Sequence, residues 1–336
     1  MDRPSPQIQI SQMLTGYWIS QAIYVAATLG LADLIKDGPK TAEELAPATK
    51  THAPSLYRLL RALASVGIFA EDDRHRFALT PLADVLRSDV SGSQRAMAIM
   101  AGEEHYRAFG DLLYSIQTGK AAFDKVFGMP VFDFLQKHPE QARIFDAAMV
   151  SVHGRETATM LEAYDFAGIR VIADVGGGNG SVITAVLKKH PEMKGILYDL
   201  PGVVERAKTN LEAAGLAARC QAVVGSFFEA VPSGADAYMM RHIIHDWEDE
   251  KSIRILKNIR QAIGTTSARL LVVESVIPPG NAPGFGKLLD LTMLVIPGGQ
   301  ERTEEQYRQL YAAAGFRLSR IVPTKAEVSV IEGMPM

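Results

Sequence analysis

Two clusters in this chain carry residue types and spacings that can do chemistry. The first is Asp174-Val-Gly-Gly-Gly-Asn-Gly, a glycine run between an apolar strand-like segment and an amphipathic one. Glycines at a strand-to-helix junction let the backbone turn tightly and let a ligand touch it where no Cβ intervenes. A dinucleotide fingerprint counted from Gly176 needs glycine at its sixth place, where this chain has Ser181. The spacing that does fit is acid-x-G-x-G-x-G, through Asp174, Gly176, Gly178 and Gly180. S-Adenosylmethionine suits that pattern. It has no pyrophosphate for a helix N-terminus, but it carries an ammonium and a sulfonium that a nearby carboxylate stabilises. A glycine-rich turn without a ligand is the plainer reading of the same run.

The second cluster is His242-Ile-Ile-His245-Asp246-Trp247, just after the fourth expected strand of an α/β sheet. The carboxyl ends of such strands are where these sheets place their chemistry. A histidine is a natural base for a phenol near neutral pH. Metal binding is the rival reading, but no H-E-x-x-H is present and two histidines three apart among acids make a weak ligand pattern. No metal is expected. His242 reads as structural, and Asp249 and Glu250 as the start of the next helix.

Lesser signals lie between the two. Asp199 ends the second expected strand, 19 residues after Gly180. An acid there can accept both ribose hydroxyls of an adenosine, or it can simply cap the following helix. Ser226 and Phe227 follow the third strand, where one can bond an adenine edge and the other pack on its face; a turn with core aromatics is the alternative.

The elements that must position these residues follow from the patterning. Strands are expected at Val171–Val175, Gly195–Leu200, Cys220–Val224, Ala235–Met240 and Arg269–Glu274, with helices at 181–189, 203–214 and 249–263. Strands alternating with helices predict a parallel sheet. Phe316–Val322 and Val328–Ile331 lie too close for a crossover helix, so the sheet should end in an antiparallel hairpin. Residues 105–165 read as helical. Ahead of them, Thr41…Glu44 has capping-box spacing, Leu56, Leu59, Leu60 and Leu63 form a helical stripe, and Phe69 and Phe77 mark a hairpin. Helix, turn, helix, hairpin is the order of a winged helix. Pro4–Ala32 holds no charged residue, and its apolar side chains spread around the helix they predict. Such a helix is covered on more than one side, with a partner subunit as a reasonable second cover.

Composition limits the function classes. The chain has 336 residues, 47% hydrophobic and 22% charged, with a net charge of −3 and one cysteine, Cys220. That is too balanced to recruit nucleic acid or membrane by bulk charge, and it leaves no internal disulfide. The winged-helix segment carries seven basic and seven acidic residues between Lys40 and Val90, and its expected wing tip is Glu71-Asp72-Asp73. A DNA reader shows a basic stripe instead. A soluble cytoplasmic protein is expected.

DVGGGNG, YDLPGVV, GSFFEAVP, RHIIHDWEDE and PGGQERT, in that order, resemble the small-molecule O-methyltransferases of the plant caffeic-acid and flavonoid type and their bacterial relatives in secondary metabolism. The resemblance implies a winged-helix-like dimerisation domain at 1–100 and a Rossmann-like α/β methyltransferase domain at 101–336. It implies S-adenosylmethionine as cofactor, S-adenosylhomocysteine as product, a small aromatic acceptor and a homodimer. By position His245 matches the general base, Asp246 the acid beside it, and Glu274 and Glu301 the acids that flank and orient it. Asp199 matches the ribose ligand with Leu200 beside it, and Arg241 stands where plant members carry a lysine near the adenine. Ser226 replaces their aspartate. The implied reaction is in-line transfer of the sulfonium methyl to a deprotonated hydroxyl. Met149, Met293 and Leu294 are candidate acceptor contacts, each also readable as core. Nitrogen or carbon acceptors methylated by proximity are the alternative. A nicotinamide oxidoreductase and a ligand-sensing DNA-binding protein stand further off.

Overall fold

A computed structural model describes residues 4–336. By backbone contacts the chain divides into two compact units. One runs to Gly110 and takes in Phe132–Val152; the other comprises Asp111–Val131 and His153–Met336.

In the first unit the uncharged N-terminal stretch is not one helix. It forms Pro6–Leu14, Gly16–Thr28 and Leu31–Ile35. The first break has a local cause: the Thr15 hydroxyl donates back to the carbonyls of Ser11 and Gln12, and glycine follows. The second break is Gly30, at φ +65°. Nor is the stretch covered within the single chain. Ile8, Ile10, Met13, Leu14, Tyr17, Trp18 and Ile19 are all exposed. The capping box at Thr41 and Glu44 forms as expected and opens the helix Ala42–Thr49. The helix Ala53–Ser65 and the hairpin β1 (Phe69–Glu71) and β2 (Phe77–Leu79) complete the winged-helix order. The wing-tip acid Asp72 closes the hairpin, accepting from the backbone of Arg74 and Arg76 and pairing with the Arg76 guanidinium.

The second unit is built on one seven-stranded sheet. Short runs of Val, Ile, Leu, Ala and Met give β3 (Val171–Val175), β4 (Lys194–Asp199), β5 (Cys220–Val224), β6 (Ala237–Arg241) and β7 (Arg269–Glu274), all parallel. The final pair, β8 (Phe316–Pro323) and β9 (Ser329–Pro335), is the expected hairpin, and β9 lies antiparallel to β7. The order across the sheet is β5-β4-β3-β6-β7-β9-β8. Both faces are packed, as parallel strands require. Ile172 joins one core with Val182, Val186 and Leu197, while its neighbours Ala173 and Val175 join the other with Tyr238, Ile255 and Ile259. The order reverses between β3 and β6, which opens a crevice at the carboxyl ends of β3, β4 and β6. Among the described residues no helix is long and apolar enough to cross a membrane.

Candidate active site

The glycine run forms the turn from β3 into the helix Ser181–Lys189. Gly176 has φ +74°, and a Cβ there would lie 2.5 Å from Ile243 Cδ1, so both backbone and space demand glycine. Its N–H donates to the Tyr198 carbonyl at 2.8 Å. Asp199 then clamps the loop: Oδ2 accepts from Gly178 N–H at 2.9 Å and Oδ1 from Leu200 N–H at 2.7 Å. A Cβ at Gly178 would meet nothing within 4 Å, so the outer face of the loop is open. Gly180, in left-handed conformation, caps the helix.

Beneath the loop Asp174 is 1% exposed, and its Oδ2 has no hydrogen-bond partner among the described residues. Burial pushes its pKa up to about 7; Arg241 pulls against that shift and Asp199 adds to it. Arg241 ends β6 and donates to Thr157 Oγ1 at 2.6 Å. Ser226 turns its hydroxyl back to accept from Phe228 N–H at 3.3 Å. Phe227 packs edge-on with Phe228 and Trp247 at centroid distances of 4.9 and 6.4 Å.

His245 sits on a 3-10 turn, Ile244–Asp246, directly beyond β6. Its Nδ1 lies 2.6 Å from Glu301 Oε1, so the neutral ring carries its proton there. Nε2 is 3.6 Å from Asp246 Oδ1, outside hydrogen-bond distance. Burial opposes the charged imidazolium, but the Glu301 bond and the charges of Asp246, Glu274 and Glu301 outweigh it, raising the His245 pKa to about 9. Asp246 is pushed up to about 7, chiefly by burial.

Glu274 differs from its expected place against the imidazole. Its Oε1 accepts the backbone N–H groups of Ile243, Ile244 and His245 at 3.1, 2.7 and 3.2 Å, and its Oε2 accepts the Tyr307 hydroxyl at 2.6 Å. It holds the turn, and Glu301 alone of the two holds the ring. The acceptor candidates are not brought together in one unit. Met293 and Leu294 are buried and half-buried on the helix Phe285–Val295, while Met149 is half-buried in the first unit.

Sequence reasoning missed three supports. Arg302, 1% exposed, donates to the carbonyls of Ile244, Trp247 and Gln300, to Ser252 Oγ and to Asp249. Tyr307 answers Glu274 from the helix Glu304–Ala313, which the Thr303–Gln306 capping box opens. Gly299 passes so close that a Cβ would lie 2.0 Å from the His245 carbonyl. The run Gly-Gly-Gln-Glu-Arg-Thr marks the place, but in sequence only Glu301 of it reads as chemical. Among the described residues no three His, Cys, Asp or Glu side chains are grouped to hold a metal.

An open glycine loop, an acid at each of two neighbouring strand ends and a carboxylate-braced histidine at a third define a nucleoside-cofactor enzyme of the α/β class. Residues 109–317 match the O-methyltransferase domain family and residues 11–89 the O-methyltransferase dimerisation domain. The chain belongs to the S-adenosylmethionine-dependent O-methyltransferase family. It is 46% identical to a phenazine O-methyltransferase of Lysobacter antibioticus, over 97% of this chain and 95% of that one. It is 39% identical to the 8-amino-8-demethylriboflavin N,N-dimethyltransferase of Streptomyces davaonensis, over 94% and 91%. An O-methyltransferase from neocarzinostatin biosynthesis, solved with S-adenosylmethionine and 2-hydroxy-5-methyl naphthoic acid, superposes with a TM-score of 0.85 at 34% identity, covering 94% of this chain and 96% of that one.

Glu301→Gln should lower the His245 titration midpoint by about one unit or more, read by NMR of histidine-labelled protein. A midpoint still near 9 would show that Glu301 is not the cause. The sign for stability follows. A raised folded pKa contributes stability that is full below the unfolded value of about 6.5 and is lost as pH rises through the folded one. The wild type should therefore lose stability between those limits, and the variant should lose less.

Proposed function

We propose that the protein methylates a phenolic hydroxyl on a planar, polycyclic aromatic natural product, with His245 as the group that takes the hydroxyl proton. The observation that carries this reading is the His245–Glu301 pair: a buried imidazole tied at Nδ1 and unbonded at Nε2. The ring systems named for the relatives, a phenazine and a naphthoic acid, support the acceptor class.

The residues at the glycine loop fit the cofactor. A buried carboxyl at Asp174 whose Oδ2 has no hydrogen-bond partner among the described residues suits a cationic group. Asp199, held by Gly178 and Leu200 at the end of β4, is an acceptor-only side chain suited to ribose hydroxyls. Gly176, Gly178 and Gly180 shape the open loop, and Leu200, Ser226, Phe227 and Arg241 complete the proposed binding set. When bound, S-adenosylmethionine supplies an electrophilic methyl and departs as a neutral thioether, which needs no acid. The chain's own tasks are alignment and handling one proton. Nε2 of His245 holds that proton, and Glu301 stabilises the resulting cation through Nδ1. Glu274 and Asp246 add negative charge around it. With its pKa near 9 the imidazole is charged at neutral pH, so an acceptor entering as phenolate meets an imidazolium. That state holds the same number of protons as neutral imidazole with neutral phenol.

A second reading, an aromatic amine acceptor, is supported by the N,N-dimethyltransferase relative and by an imidazole that already carries its proton. We further propose a cytoplasmic homodimer, with a dimerisation part to about residue 100 and a catalytic part over 101–336. Eight exposed large apolar side chains on the N-terminal helices, Val25 among them, within and beside the matched dimerisation domain, support a second copy as their cover.

His245→Gln should cut turnover of a neutral phenol by about 10²–10⁴-fold while S-adenosylhomocysteine affinity holds. Near-normal turnover would remove the base. Asp199→Ala should weaken S-adenosylhomocysteine binding by about 2–4 kcal/mol in calorimetry; unchanged affinity would sink the ribose assignment. Tyr17→Glu with Trp18→Glu should convert a dimer to monomer or aggregate in light scattering, and a wild type that is monomeric at micromolar concentration contradicts the interface.

A further inference from the structure

Glu156 and His242 have no task in the reaction as proposed, yet both are nearly buried and bonded to each other. His242 Nε2 lies 2.9 Å from Glu156 Oε2, with the side chains 11% and 9% exposed. His242 also occupies a costly backbone conformation. Its φ is +52°, and among described non-glycine residues only Lys50 and His75 share a positive φ. Those two are exposed, one at a helix end and one in a hairpin turn. A turn that needed only this conformation is better served by glycine or asparagine. Strain of this kind persists where the surroundings over-determine it, and it collects at functional sites.

The surroundings of His242 lead to His245. The two imidazoles pack at a centroid distance of 4.9 Å and 40°. The His242 N–H donates to the Val273 carbonyl at 3.3 Å, continuing the β6–β7 ladder. Arg241, the residue before, bonds Thr157, the residue after Glu156. The last residue of β6 and the one after it are thus tied to two consecutive residues of the helix Pro139–Ala163.

His245 needs such a neighbour. Its bond to Glu301 fixes Nδ1 but lets the ring tilt about that bond, and Nε2 makes no hydrogen bond, with the Asp246 carboxylate 3.6 Å away. A second contact on the ring face removes the tilt. We propose that Glu156 and His242 are a positioning pair for His245: the carboxylate holds the His242 ring, and that ring fixes the tilt of the imidazole so that Nε2 keeps one direction. The inference rests on the reading of His245 as the proton-holding group, but its test does not depend on turnover.

The test uses the full-length protein saturated with S-adenosylhomocysteine. The short bond to Glu301 sends the His245 Nδ1 proton far downfield in the proton NMR spectrum, and His245→Gln assigns the signal by its loss. Two variants are compared. Glu156→Gln keeps the side-chain shape and removes the charge from the bond; His242→Asn keeps a residue that tolerates left-handed backbone and removes the ring. Both should move or broaden the downfield signal, since loss of the ring contact frees the tilt of the imidazole. S-Adenosylhomocysteine affinity should stay within about twofold and the melting temperature within a few degrees. A signal unchanged in both variants overturns the pair, as does a change seen only where cofactor binding and melting temperature also collapse. Failure of the base reading shows separately, as turnover retained in His245→Gln.

Discussion

A carboxylate can be taken out of water only if its lone pairs are answered, and Glu274 is fully buried at the end of β7. Its answer comes from the amides of Ile243, Ile244 and His245 and from the Tyr307 hydroxyl. Those amides open a short helical turn, whose first N–H groups have no partner of their own. One interaction thus satisfies the carboxylate and the turn together, and it sets where His245 leaves the sheet. The rest builds on that point. The Gln300 N–H donates to the His245 carbonyl at 2.9 Å, Glu301 reaches the ring, and Arg302 gathers the carbonyls of Ile244 and Trp247 on either side. Glu274 supports the proposed base without touching its ring.

Much of the sheet was legible in the sequence because its strands are buried on both faces and sharply punctuated. Val171–Val175, Cys220–Val224, Arg269–Glu274 and the helix at 181–189 stand where their apolar runs and flanking Gly or Asp placed them. The N-terminal stretch was not legible in the same way. Lack of charge reports burial in whatever assembly the chain occupies, and says nothing of whether one helix runs through it. Thr15 bonding backward and Gly16 after it break the helix by local chemistry that a count of apolar residues overlooks.

The two chemical clusters were legible because each is contiguous. What braces them is not. Glu274 lies 29 residues beyond His245, Glu301 56 beyond, and Glu156 86 before His242. Contacts at such separations leave no periodicity to read. A buried arginine such as Arg302 is written in sequence with the same letter as a solvated one, and only its five carbonyl, hydroxyl and carboxylate acceptors distinguish it. The same holds for the side chain at position 242. Its histidine reads as structural until the positive φ and the neighbouring ring are seen.

The electrostatics alter what the proposed base must do. The sequence suggested an imidazole poised near neutrality, but three acids around it hold its proton up to about pH 9. In the proposed reaction such a group keeps the phenol's proton once it has taken it, so the raised pKa favours the phenolate–imidazolium pair. On that proposal the acidity of the acceptor matters beside the basicity of the histidine: an electron-poor aromatic hydroxyl gives up its proton more readily, and the imidazolium then faces its anion. An amine acceptor has no such anion to offer and draws on alignment alone. Relatives named for oxygen and for nitrogen acceptors both occur in the family. On the proposed reading, what separates the two outcomes is whether the acceptor has a proton to give to the imidazole that Glu301 braces.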